Sequence, residues 1–334
     1  MNDAMVVYAA AAVALGGLIL YAVLGGADFG GGALDLFARG PRRREQRDAI
    51  ANAMGPVWEA NHVWLIFVLV VLFTCFPRGY RALSEALFLP FHLALLGIML
   101  RGAAFVFRGY SRAGGKHASA WSVVFGAASV ISPFLLGCAF AAVTGGSVRV
   151  SFEGDTDVSL TSKWPWLTPY ALGCGMLALS ACTYLAAVYL TGETDGPLRE
   201  DFRRRAIFAG TATAIIAAEV MFLAQEHAPW FADQLIHPRS GAVLLTGLFF
   251  FAGSAWTVFR RHYRLSRIFA ATEIAVLLIG WGLAHQPYLI YPDLTLIDAA
   301  APTTTIRFLL WTLPLGAAML IPSLALLFKV FKSP

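Results

Sequence analysis

Nine stretches of about 20 mostly apolar residues run through this chain of 334 residues, and they constrain its fold more than any other feature. A helix that crosses a bilayer needs about 20 such residues. The composition agrees, because 58% of the residues are hydrophobic and only 13% are charged, which is too apolar for a soluble domain of this size. We therefore predict an all-α polytopic membrane protein, embedded in a lipid bilayer by nine transmembrane helices. The predicted spans are 5–27, 57–76, 81–107, 121–143, 166–190, 205–225, 241–259, 268–286 and 305–328.

The lysines and arginines are distributed unevenly between the gaps that separate these spans. Alternate gaps hold 18 of the 25 basic residues, the other gaps hold six, and Arg101 lies inside a span. Because cytoplasmic loops carry the excess of basic residues, we predict an outside N-terminus and a cytoplasmic C-terminus. This distribution also explains the net charge of +5 as a topology signal, so no nucleic-acid partner is expected.

The order of spans and loops predicts one integral membrane domain over residues 1–334. Residues 1–143 would form a first four-helix bundle, 144–165 an outer loop, 166–286 a second four-helix bundle and 305–328 a peripheral helix. The four cysteines all lie in apolar segments without metal-binding spacing, so no metal site is predicted.

Three ionisable residues on three consecutive spans share one predicted depth. At about 1.5 Å per residue, Asp28 lies near the cytoplasmic end of the first span, Glu59 at the start of the second, and Arg101 roughly 30 Å along the third. One interpretation is a buried ion pair of Arg101 with either acid, which fixes helix register. The other is a proton or substrate pathway that enters from the cytoplasm, and the two are compatible.

The second span carries further polar groups beside Glu59. Trp58, Asn61 and His62 share one helix face, since they are spaced i, i+3 and i+4. Glu59 is the expected proton carrier, because a carboxylate beside an amide and an imidazole can relay protons. His62 could shuttle protons or bind a haem iron, or it could be a histidine hydrogen-bonded to Glu59 or to a neighbouring helix.

Other intramembrane polar residues are weaker candidates. Glu85 and His92 are seven residues apart and are predicted to share a face of the third span, kinked at Pro90, with His92 near mid-membrane as a weak haem-ligand candidate. Glu219 and Glu273 are functional candidates by default, or they pair with a partner subunit.

Four short motifs connect these residues with a known family. They read G-A-D-F-G at 26–30, P-V-W-E-A-N-H-V-W-L at 56–65, L-F-L-P at 87–90 and L-R-G-A-A-F-V-F-R at 100–108. In this order and spacing, the chain resembles subunit II of the cytochrome bd-type quinol oxidases. Trp58 and Glu59 match the family's W-[DE], and Asp28 and Arg101 match the aspartate and arginine of two other motifs. The chain departs from better-known members by having Glu59 and His62, where they often have Asp and Glu.

The resemblance implies a subunit I partner that holds two haems b and one haem d, oxidises quinol and reduces dioxygen to water. Subunit II would pack against it pseudo-symmetrically in a bacterial cell membrane, ligate no haem, and contribute scaffold and a cytoplasmic proton path with Glu59 as its acid. Small single-span accessory subunits are further candidate partners. The alternatives are a proton-coupled secondary transporter and a purely structural anchor subunit.

Overall fold

The fold is helical, and a computed structural model describes residues 2–54, 58–112, 118–151, 157–160 and 163–332, with the backbone alone at 58–60, 109–112, 118–119, 157–159, 327–328 and 331–332. Twelve α-helices are present in these ranges. They are α1 Asp3–Leu36, α2 Arg43–Met54, α3 Trp58–Cys75, α4 Pro77–Ala86, α5 Phe88–Arg112, α6 Ala118–Thr144, α7 Pro169–Glu193, α8 Gly196–His227, α9 Pro229–Ile236, α10 Pro238–Phe259, α11 Tyr263–His285 and α12 Thr303–Lys332.

Eight of these helices are long and apolar enough to cross a membrane, which confirms a multi-pass membrane protein. They are α1, α5, α6, α7, α8, α10, α11 and α12. Among the described residues, a ninth span is obtained if the bent pair Asn61–Cys75 and Pro77–Ala86, whose axes differ by 119°, counts as one. The predicted count of nine therefore depends on how this pair meets the bilayer.

The predicted third span, 81–107, is wrong at its start. Residues 77–86 form the separate helix α4, and the long helix α5 begins only at Phe88. Pro77 is the first residue of α4, where its missing N–H costs nothing, so it starts a new helix direction after Cys75. α4 is short and amphipathic, with Gly79, Ala82 and Ala86 buried on one side, which suits a helix that lies across the ends of its neighbours.

This break overturns two expectations for the third span. Glu85 and His92 lie on different helices, so they do not share a helix face, and Pro90 falls in the first turn of α5 rather than at a kink between them. His92 is an exposed residue near the start of α5 rather than a mid-membrane one. Arg101 accordingly lies about 20 Å along α5, not about 30 Å along a longer helix.

The fold also contains strands, which the all-α prediction did not include. β1 Val148–Ser151 pairs antiparallel with β2 Asp157–Leu160, and β3 Tyr288–Ile290 pairs antiparallel with β4 Leu294–Thr295. All four fall in two of the three long loops that the charge distribution assigns to the outside, 144–165 and 287–304. Strands of two to four residues are too short for a reliable period-two pattern, which explains why the sequence did not reveal them.

The core lies around α1, which packs against α3, α6, α7 and α11. The triplet Gly30, Gly31 and Gly32 allows this close approach, because an added Cβ would meet, in turn, the Cys182 carbonyl of α7, the Met54 side chain of α2 and the Ser129 side chain of α6. In contrast, α12 packs mainly along α1 and α3, and none of its most apolar window is buried. α1 is thus held rigidly at the point where it carries Asp28.

Candidate functional site

A buried polar cluster joins α1, α3, α5 and α6. Asp28 is 4% exposed, Asn61 5% and Arg101 1%. The Asn61 amide Nδ2 donates to Asp28 Oδ2 at 2.7 Å, and Arg101 Nε donates to the Ser129 hydroxyl at 3.1 Å. The structure therefore brings together three of the predicted site residues from three different helices.

His62 joins the same cluster through Arg101. Its Nε2 lies 3.3 Å from a terminal nitrogen of the Arg101 guanidinium. Since arginine can only donate, His62 Nε2 must accept, so the imidazole is neutral with its proton on Nδ1. A nitrogen whose lone pair is occupied in this way does not fit a haem iron as ligand. His62 is placed as a hydrogen-bonded histidine, which is one of the alternatives that the sequence left open.

Aromatic rings complete the surroundings of the buried guanidinium. The Arg101 guanidinium carbon lies 5.2 Å from the Phe29 ring centroid and 5.4 Å from that of Phe125. Tyr21 lies one heptad before Asp28 on α1, and its ring centroid is 5.9 Å from that of His62. Asp28 and Arg101 bond to the neighbouring residues Asn61 and His62 of α3, which brings the carboxylate near the guanidinium. Ring faces and a nearby carboxylate together make a buried cation tolerable at this depth.

A second acid–arginine layer, which the sequence analysis missed, lies one heptad further along the same helices. Arg108 of α5 donates to Asp35 of α1 at 2.8 Å, and both residues are buried. Arg47 of α2 lies 3.7 Å from the other carboxylate oxygen of Asp35. The signal was present, because Asp28 to Asp35 and Arg101 to Arg108 are both seven-residue steps, which return to the same helix face.

A cavity of about 380 Å³ reaches the cluster. Asp28 and Asn61 line it together with apolar side chains of α2 and α7. The ion pair between Glu193 of α7 and Arg267 of α11, 3.1 Å apart, also lines the cavity, and both of these side chains are more than a third exposed. The cavity thus extends from a buried carboxylate to a charged pair at the protein surface.

The other predicted candidates are not joined to this cluster by any contact among the described residues. The side chains of Trp58 and Glu59 fall outside the described residues, so their place in the site stays a prediction. Exposed His92 bonds through Nδ1 to the Phe88 carbonyl at 2.7 Å. Glu219 is exposed on α8, whereas Glu273 is buried on α11.

Comparison with known proteins identifies the family. A family model described as "Cytochrome bd terminal oxidase subunit II" matches residues 6–331, nearly the whole chain. The chain belongs to this family. The resemblance drawn from the four motifs is therefore confirmed, and the polar cluster described above is a cluster of a bd oxidase subunit II.

Individual relatives of this subunit II agree. The "Cytochrome bd-I ubiquinol oxidase subunit 2" of Escherichia coli (strain K12) is 23% identical over 92% of this chain and 88% of its own length. The "Cytochrome bd ubiquinol oxidase subunit 2" of Bacillus subtilis (strain 168) is 31% identical over 55% of this chain and 52% of its own. A chain in the structure of the bd oxidase from Geobacillus thermodenitrificans has the same fold, with a TM-score of 0.82, 23% identity and 98% coverage of both chains.

Proposed function

We propose that this subunit II supports the four-electron reduction of dioxygen to water by quinol within a bd-type oxidase of a bacterial plasma membrane. The electron-transfer chemistry belongs to the haems, two b and one d, carried by the partner subunit I. This chain would supply scaffold and a cytoplasmic proton path. The N-terminus would lie outside and the C-terminus in the cytoplasm.

The observation that carries the proton-path proposal is the cavity that joins Asp28 and Asn61 to the surface pair Glu193–Arg267. A carboxylate buried in a membrane span is costly, and one that opens on a cavity is typical of a proton route. With the proposed orientation, the Glu193–Arg267 end faces the cytoplasm, because α7 ends there and α11 begins there.

Each residue of the cluster has a distinct proposed role. Glu59, which follows α3's first residue, carries the proton. Asp28 holds a fixed negative charge at the inner end of the cavity and attracts protons into it, and Asn61 is oriented by its 2.7 Å hydrogen bond to that carboxylate. The 3.3 Å contact between the Arg101 guanidinium and neutral His62 fixes the positions of α5 and α3 relative to each other at the cluster.

A proton-coupled transporter is less well supported by the geometry. Transporter sites typically lie between two corresponding discontinuous helices near the bilayer midplane. Within the described residues a single bent pair, α3–α4, is found rather than two corresponding ones, and its break at Phe76 lies at the opposite end of α3 from the cluster.

The complex itself tests the assignment. A tag on this chain should co-purify subunit I, and the dithionite-reduced minus air-oxidised spectrum should show a haem d band in the far red beside b-type bands. A haem-free preparation containing this chain alone would contradict the oxidase assignment. Glu59→Gln then separates a proton path from an anchor role, since an anchor would keep full turnover in an assembled complex.

A further inference from the structure

An arginine-rich surface lies where the first turns of α8 meet the loop between α10 and α11. The carboxylate of Glu200 lies 2.8 Å from Arg203, 3.3 Å from Arg261 and 4.0 Å from Arg204. Arg203 also donates to two backbone carbonyls at the end of α10, which fixes its position. One carboxylate balances only one of these three guanidiniums, so the group carries an excess of positive charge.

Two further arginines extend this excess. Arg260 and Arg264 are exposed, and neither forms an ion pair with an acid among the residues that the structure describes. Arg260 lies over the ring of Trp256 instead, with its guanidinium carbon 4.9 Å from the ring centroid. A further acid at this end of the helices, Glu193, is held by Arg267 at 3.1 Å. The five residues with the charge excess are called here the arginine surface: Arg203, Arg204, Arg260, Arg261 and Arg264.

Arg261 occupies a backbone position that normally belongs to glycine. Its φ of 64° is left-handed, and no other non-glycine residue among the described ones has a positive φ. The Arg261 N–H bonds the Val258 carbonyl at 3.3 Å, and the His262 N–H bonds the Thr257 carbonyl at 2.8 Å. This is the helix end for which glycine is preferred. An arginine here costs stability that glycine would not, which indicates that its side chain has a use at this surface.

The arginine surface continues into an exposed apolar surface on all three helices. On each of α8, α10 and α11, a large apolar side chain lies four residues deeper in the span than an exposed arginine. The pairs are Arg204 with Phe208, Arg260 with Trp256 and Arg264 with Ile268. Residues four apart share a helix face, and the three apolar side chains are 78%, 60% and 59% exposed. The surface is therefore cationic at the end of the spans and apolar one turn deeper.

We propose that the arginine surface binds the headgroup of an anionic phospholipid, whose acyl chains lie along Phe208, Trp256 and Ile268. Guanidiniums form paired hydrogen bonds with phosphate oxygens, and an indole is typical of the membrane interface. The charge excess fits an anion and the apolar side chains beside it fit acyl chains, so a lipid that has both matches better than a soluble anion. This site does not rest on the proposed proton path.

Native mass spectrometry of the detergent-solubilised oxidase complex tests this site. Phosphatidylglycerol should bind the wild type more tightly than phosphatidylcholine with the same acyl chains. Arg260→Gln combined with Arg264→Gln should weaken phosphatidylglycerol binding by about 25-fold, at about fivefold for each arginine. Glu200→Gln should tighten it, because it removes the carboxylate that competes with the headgroup, while Arg203 keeps its carbonyl bonds. Equal binding of the two lipids by the wild type would overturn the proposal.

Two more variants separate the site from a general charge effect and from misfolding. Arg199→Gln is the matched control, because it removes one positive charge near the same end of α8 from an arginine already paired with Asp195. It should weaken phosphatidylglycerol binding less than twofold. Arg261→Gly suits the left-handed backbone, so the complex should retain its haem d content and bind phosphatidylglycerol about fivefold more weakly.

Two outcomes of these experiments would contradict a lipid site. Equal weakening in Arg199→Gln and in Arg264→Gln alone would show a diffuse effect of net charge. Loss of subunit I from the Arg260→Gln, Arg264→Gln complex, with phosphatidylglycerol binding unchanged, would show that the surface contacts protein instead.

Discussion

The two acid–arginine layers between α1 and α5 use the same residue types, yet they are built differently. In the Asp35–Arg108 layer the charges touch directly at 2.8 Å, and Arg47 adds a second cation at 3.7 Å. In the Asp28–Arg101 layer, one heptad away, an amide donates to the acid while the guanidinium bonds to a hydroxyl and an imidazole. Only the second layer lines the described cavity.

This difference separates a sealed ion pair from a layer that opens on a cavity, as the proposed proton path requires. The Asp35 charge is neutralised at contact distance by Arg108 and is sealed from water, since its side chain is 0% exposed. The Asp28 charge faces a cavity in which protons or water can respond to it. The same sequence pattern, an acid and an arginine each repeated after seven residues, can therefore produce a sealed ion pair or a layer that opens on a cavity. The side chains that surround the two charges determine which arrangement forms.

The largest expected effect comes from breaking the closed layer. Arg108→Leu leaves the Asp35 carboxylate buried beside Arg47 alone, and removal of one partner of a buried pair typically costs about 3–5 kcal/mol. We expect the complex to fail to accumulate, measured as haem d per milligram of membrane protein. The double variant Arg108→Leu with Asp35→Leu should restore part of the yield. The control is Arg81→Leu, whose ion pair with Glu85 is about half exposed and should matter by roughly 0–1 kcal/mol.

Arg101→Leu should have the next largest effect. The Asp28 carboxylate loses its nearby cation but keeps the Asn61 donor at 2.7 Å, so assembly should fall, though less than in Arg108→Leu. The haem d content of membranes measures this as well. A stable and fully active Arg101→Leu complex would refute the buried-charge interpretation of this layer.

A smaller effect is expected for a water-exposed ion pair in the outer loops. Arg149 of β1 donates to Asp293 at 2.6 and 2.9 Å, and these bonds hold the pKa of the Asp293 carboxyl below its usual range. A carboxyl group whose pKa is lower in the folded state stabilises the fold at pH values above its unfolded pKa. That stabilisation is lost as the pH falls through the folded-state pKa. The unfolding temperature of the wild-type protein should therefore fall slightly on acidification, and Asp293→Asn should remove this part of the pH dependence. An identical pH profile in the two proteins would contradict it.

Several elements could be predicted from the sequence because they depend on local composition. The long apolar runs gave most of the spanning helices, and the depth argument placed Asp28 and Arg101 in one layer. The same argument did not foresee that α5 begins at Phe88, because Pro77 and the polar stretch that follows it redirect the chain within an otherwise continuous apolar region.

The partners inside the cluster depended on packing that no local pattern encodes. Ser129 reaches Arg101 because α6 packs closely on Gly32, and a serine in an apolar helix gives no signal of its own. Asp35 and Arg108 were visible as a heptad repeat, but Arg108 looked like one of the basic residues of a cytoplasmic gap. The ion pair between Arg149 and Asp293 was not predictable for the same reason, since it joins two loops that are 144 residues apart in the chain.

The most direct test of the central claim is the quinol-driven oxygen consumption of the assembled Asp28→Asn complex, normalised to haem d. We expect turnover per haem d to fall by about tenfold or more in the complex that assembles, because the charge that attracts protons into the cavity is lost. Glu85→Gln, which removes an exposed carboxylate on α4, should retain wild-type turnover. Wild-type turnover in Asp28→Asn would show that the cavity and its carboxylate do not serve the oxidase reaction.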